Sequence, residues 1–158
     1  MILSLAIGAG MYVLTLCVQM APIAILIRIA TSRHPHSLTR PSYGANFILI
    51  QLVAAFMLLA HLVNIALWAV LFWLCGEFAR FEAAYYHSAV NYSSLGYGDI
   101  VMSTQWRLLG PLETIDGMVM FGISTALIFA LVMRLIDRRI KAKEQEMVDR
   151  NQLSGDRK

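Results

Sequence analysis

Residues Ser93-Ser94-Leu95-Gly96-Tyr97-Gly98-Asp99 lie between two long apolar stretches. Two glycines flank a tyrosine, two hydroxyl residues precede them and an acid follows. Glycine accepts positive φ at little steric cost. A short extended run with glycines at alternate places therefore turns successive carbonyl oxygens toward one axis. A ring of such oxygens can replace the water around a dehydrating cation. The chemistry on offer is ion coordination by backbone, with no bond made or broken.

Such a segment needs elements to hold it. The chain has 158 residues, of which 58% are hydrophobic, too apolar for an ordinary soluble domain of this size. Crossing the hydrocarbon core takes about 20 apolar residues. No charged residue occurs from Met1 to Ile27 or from Pro41 to Gly76, and a third uncharged run covers Gly117 to Met133. Three spanning helices are expected: Met1–Ala30, Asn46–Leu74 and Leu112–Ile136. The first lacks the basic start of a signal peptide and reads as a retained span that Pro22 kinks. Phe81–Tyr92 reads as a helix with an aromatic face, too short to cross. With the glycine segment it makes a re-entrant helix and extended return. Non-helical backbone at that depth survives only where protein or water surrounds it. The expected organisation is an extra N-terminal helix at 1–30, a cytoplasmic loop at 31–45, a core of 46–137 and a cytoplasmic tail at 138–158. In the tail, Ile136, Ile140 and Met147 make an apolar stripe too short for a coiled coil, on a helical extension that frays into disorder.

Positive charge sets orientation. Arg28, Arg33 and Arg40 follow the first span, and eight Lys and Arg residues follow the third, from Arg134 to Lys158. Only Arg80 and Arg107 lie between the second and third. The first loop and the tail are therefore cytoplasmic, the N-terminus is outside, and the glycine segment lies on the outer side of a multi-pass protein of the cell (inner) membrane. The basic residues form a juxtamembrane cluster that sets topology and attracts anionic lipid headgroups, which argues against a nucleic-acid partner.

Several polar residues sit in apolar surroundings. His61 and Asn64 share a face of the second span and are expected to hydrogen-bond between helices. Cys17 and Cys75 lack a Cys-x-x-Cys spacing and read as small buried hydrophobes. His34 and His36 read as solvated loop residues. Gly8-Ala9-Gly10 offers a surface that a neighbouring helix can approach closely. Glu77, Glu82 and Asp99 outnumber Arg80 and Arg107 near the outer surface, and Glu113 and Asp116 add to a field that concentrates cations or brace the short helix or Arg107.

Taken with its setting, Ser-Leu-Gly-Tyr-Gly-Asp resembles the selectivity filter of potassium channels, usually Thr-Val-Gly-Tyr-Gly-Asp. The resemblance covers roughly Asn46 to Arg138 and is to the potassium-channel pore-domain family, in its bacterial two-span "ion channel" branch. It implies an all-α membrane protein: three transmembrane helices with a re-entrant pore helix and extended filter, in a homotetramer around a fourfold axis. By position, the carbonyls of Ser94, Leu95, Gly96 and Tyr97 form the K+ sites, the Ser94 hydroxyl adds the innermost ligand, and Gly98 completes the filter. Ser93, Asp99, Tyr86 and His87 support it. Tyr86 and His87 stand where the family commonly has two tryptophans, Tyr86 placed to donate to Asp99 and His87 to pair with Tyr97 within one chain or across subunits. Val90 stands where some relatives keep a glutamate. Phe121-Gly122-Ile123-Ser124-Thr125 matches the stretch holding the family's hinge glycine, with Gly117 as a rival. Ile123, Ala126 and Ala130 have a spacing suited to lining the cavity, or equally to core packing.

The implied function is passive potassium conduction by a non-enzyme, with no cofactor beyond the permeant K+. Ser94 and Leu95 both lack the β-branch of the family's residues, so a non-selective monovalent cation channel is the alternative. A transporter subunit and a small membrane oxidoreductase using Cys17 and Cys75 are the rivals of another class.

Overall fold

In the computed structural model, residues 1–32 and 43–155 are described. The first loop, with His34 and His36, and the last residues of the tail lie outside them. Four helices follow one another: α1 (Ile2–Ser32), α2 (Tyr43–Leu74), α3 (Phe81–Tyr92) and α4 (Leu109–Gly155). No strand occurs among the described residues. α1, α2 and α4 are each long and apolar enough to cross a membrane. At about 1.5 Å per residue, the 12-residue α3 reaches roughly 18 Å, short of the ~30 Å hydrocarbon core.

α2 stops where sequence chemistry ends it. Gly76 adopts φ 75, and its N–H and that of Glu77 return to the carbonyls of Trp73 and Phe72 at 3.0 and 3.2 Å. This is the Schellman stop, which leaves the last carbonyls satisfied. Six residues separate Leu74 from the start of α3, which packs back on α2. Trp68, Phe72, Tyr92, Leu109 and Met120 are fully buried and centre the core, so every long helix except α1 contributes to it. α1 closes one side through Ile7, Met11, Tyr12 and Leu16.

α4 differs from the expected third span. It starts at Leu109, three residues before the expected span, with Pro111 in its first turn, and continues for 47 residues through the expected helical extension to Gly155. Between Gly122 and Gly155 there is no glycine or proline to stop it, and the Arg150–Glu146 pair at 3.1 Å bridges one turn of the tail.

The acids of α4 are buried: Glu113 is 0% and Asp116 1% exposed. Glu113 Oε1 pairs with the Ser88 hydroxyl of α3, which also lies 2.8 Å from the Ile65 carbonyl of α2. Asp116 Oδ2 accepts from Trp68 Nε1 at 2.7 Å and from Thr15 Oγ1 at 2.8 Å. These acids fasten helices together and add nothing to an exposed field; the brace is to α3 and not to Arg107. Replacing Trp68 with Phe keeps the ring's bulk but strips Asp116 of its shortest donor. The expected loss is about 1–3 kcal/mol, seen as earlier thermal unfolding in detergent micelles, with Trp68→Leu falling further.

Candidate functional site

The site begins at the end of α3. The N–H groups of Ser94 and Leu95 return to the carbonyls of Asn91 and Val90 at 2.9 and 3.0 Å, and Gly96 N–H also reaches Val90 at 3.3 Å. Val90 thus serves through its backbone. Ser93 Oγ donates to the Ala89 carbonyl at 2.7 Å. This cap turns the chain out of the helix with Ser94 at φ 61. A non-glycine residue there is uncommon, and a β-branched one more so; serine suits the position better than threonine.

Left-handed backbone then recurs at every second residue: Ser94 φ 61, Gly96 φ 60, Gly98 φ 70. Alternation of hand undoes the reversal of carbonyl direction that a plain strand shows. Ser94 through Gly98 are exposed, Leu95 by 54% and Tyr97 by 66%. An added Cβ on Gly96 or Gly98 would meet nothing within 4 Å, so conformation rather than space makes them glycine.

The segment is tied down from behind. Tyr86 Oη donates to Asp99 Oδ2 at 2.8 Å; that bond, and the negative charge beside it, push the Tyr86 hydroxyl above the usual phenol range. His87 does not reach Tyr97 within the chain. Its Nδ1 donates to the Ile100 carbonyl at 3.1 Å, and Nε2 accepts from Asn91 Nδ2 at 2.9 Å. The reason is packing: Phe72 and Phe78 hold the imidazole, with ring centroids 5.5 and 5.0 Å away, while Tyr97 faces outward. Farther on, Glu77 holds Ser103 through its N–H and hydroxyl, both at 2.6 Å.

Burial pushes the His87 imidazole below its ordinary range, and its bonds use the neutral ring. The unfolded chain binds the proton more readily, so stability from His87 is full above roughly pH 6.5 and falls as acid carries the pH below it. Thermal unfolding of wild type and His87→Gln should therefore converge in pH dependence above neutrality and separate below pH 6, wild type losing more.

Residues 48–134 match the profile of a family described as "Ion channel". The chain belongs to the ion channel family. No curated protein and no solved structure matches it. The match runs from α2 through the glycine segment into α4, so it is a membrane channel core to which α1 is additional.

Placement within this ion channel core separates the other sequence candidates. Gly117 packs against α3: a Cβ there would lie 2.1 Å from the Tyr92 carbonyl oxygen. Gly122 has open space around it. Ile123 is half-buried against the core, whereas Ala126 and Ala130 are exposed. Cys17 and Cys75 are both free thiols, Cys17 exposed on the surface of α1 and so not the buried hydrophobe expected.

Sequence reading missed Ser4, Thr15 and Gln19. All three are buried and each bonds another part of the chain: Ser4 Oγ the Gln105 carbonyl at 3.3 Å, Thr15 the Asp116 carboxyl, Gln19 Nε2 the Ser124 hydroxyl at 2.8 Å. The available signal was their spacing. With Gly8 they fall on one face of an apolar helix, where polar groups usually point at protein.

Proposed function

We propose that the protein is a homotetrameric potassium channel of the cell membrane, with Ser94 to Gly98 as its filter at the outer side of a fourfold axis. The observation that carries this is the alternation of left-handed backbone at Ser94, Gly96 and Gly98 directly after a helix too short to cross. Carbonyls arranged by that alternation suit a dehydrated cation. One chain leaves the segment exposed, and only 11% of the most apolar stretch of α4 is buried, against 33% for α2. Further copies of the chain around the axis would cover both. K+ is carried and not held as a cofactor, and the basic stretch after Met133 suits a cytoplasmic face rich in anionic lipid.

The test is flux into proteoliposomes. Potassium uptake well above sodium uptake, blocked by barium, is the expected result. Equal uptake of the two ions gives the non-selective reading instead, which Leu95 in place of a β-branched residue favours; bi-ionic reversal potentials then measure the ratio. Absence of either flux from tetrameric protein overturns the proposal.

A further inference from the structure

Five buried polar side chains from all four helices close a hydrogen-bonded ring. Gln19 Nε2 of α1 donates to Ser124 Oγ of α4 at 2.8 Å. Ser124 Oγ meets His61 Nε2 of α2 at 3.0 Å, and His61 Nδ1 meets Tyr92 Oη of α3 at 3.1 Å. Asn64 Nδ2 of α2 donates to Tyr92 Oη at 3.3 Å and to Gln19 Oε1 at 3.2 Å, which returns to the start.

One assignment of protons uses every donor of the ring. Ser124 has one hydroxyl proton and spends it on the Met120 carbonyl at 2.9 Å. It then accepts from both Gln19 and His61, so His61 carries its proton on Nε2. His61 Nδ1 is left to accept from the Tyr92 hydroxyl, whose oxygen accepts from Asn64. All the ring donors are used by one tautomer of one histidine.

The ring's position matters more than its closure. Tyr92 ends α3, two residues before Ser94. Ser124 lies two residues beyond Gly122, the point on α4 with room to bend. Asp116, on the other side of both glycines, is held by Thr15 of the same helix α1. α1 therefore grips α4 on each side of its glycines, and the grip beyond Gly122 is joined to the root of the glycine segment.

We propose that α1 is a gating element and Gln19 its positioning residue: the Gln19–Ser124 bond holds α4 unbent and ties it to Tyr92 at the base of the filter. This rests on the proposed channel function. Bending at Gly122 requires that bond to break, whereas Thr15–Asp116 lies on the half of α4 that stays put.

The experiment compares Gln19→Leu, Ser124→Ala and the pair in proteoliposomes under a potassium gradient. Each single change should raise potassium flux roughly five- to tenfold, as expected for losing one or two bonds of this kind inside a membrane. The double variant should gain clearly less than the two single gains combined, because both remove the Gln19–Ser124 bond. The potassium-to-sodium ratio should stay at the wild-type value, which a generally loosened pore would not preserve. Docking of α1 is read separately. A Cβ on Gly8 would sit 3.5 Å from the Leu112 Cβ, within disulfide range. In a Cys17→Ser, Cys75→Ser background, Gly8→Cys with Leu112→Cys should crosslink on oxidation in membranes, with or without Gln19→Leu.

Flux that is present but unmoved or lowered by Gln19→Leu, additive gains in the double variant, or failure of the crosslink overturns the gating role alone. A wild-type tetramer that passes no ion overturns the channel reading, and the gating role with it.

Discussion

Gly96→Ala will abolish the proposed potassium flux without unfolding the protein. The site isolates a backbone effect: an added Cβ meets nothing within 4 Å, yet φ is +60. An L-residue in that conformation costs about 1–2 kcal/mol. In the proposed tetramer four copies would add to roughly 4 kcal/mol or more, a strain relieved by rotating the flanking peptides away from the proposed ion path. Conduction should fall at least a hundredfold, measured as potassium uptake by proteoliposomes. Helix content and oligomer size should match wild type. Gly98→Ala, at φ +70, should behave alike. Gly10→Ala is the control, since it too has open space but lies within helix α1, where alanine is the better residue. D-alanine at position 96 favours positive φ and should recover flux that L-alanine loses. Flux of the Gly96→Ala protein within twofold of wild type would sink the assignment of this segment as the ion path.

Long apolar runs and glycine spacing are one-dimensional signals, and they made much of this molecule legible. α3 has the expected bounds, and α1 and α2 lie within a few residues of theirs. The alternation at Gly96 and Gly98 was legible because only glycine adopts positive φ freely; Ser94 joining it was not, since nothing in a serine announces a left-handed cap. The rest depends on which side chains meet across helices. His61 and Asn64 read as interhelical bonders, but their partners Tyr92, Gln19 and Ser124 lie 28 to 63 residues away along the chain. Glu113 and Asp116 read either as mouth charges or as braces of the short helix or Arg107, because sequence gives their depth along the helix and not the direction they face. Once Trp68, Ser88 and Thr15 are found around them, they become fasteners. His87 is matched to Tyr97 by analogy of position; within one chain Phe72 and Phe78 pack on its ring, and Ile100 and Asn91 take its two nitrogens instead.

The two candidate hinge glycines should part company when each becomes alanine. In a helix interior alanine is favoured over glycine by about 1 kcal/mol, and at Gly122 nothing opposes that gain. Gly122→Ala should therefore melt slightly later than wild type and, by stiffening α4 at the one place with room to bend, conduct less. At Gly117 the same methyl would lie 2.1 Å from the Tyr92 carbonyl oxygen and 2.9 Å from its carbon. Backbone cannot yield as a flexible side chain does. Tyr92 is held by His61 and Asn64, and α4 by the Thr114 hydroxyl, 3.0 Å from the Asn91 carbonyl. Two fixed elements must separate, which breaks bonds on both sides of the contact. Overpacking of this kind costs about 3 kcal/mol or more, which outweighs the propensity gain. Gly117→Ala should unfold well below wild type in detergent, and its loosened α3 end should leave little selective flux. A Gly117→Ala protein that melts at or above wild type would show that α4 does not press on the end of α3, and with that contact would go the rigid seat on which the glycine segment stands.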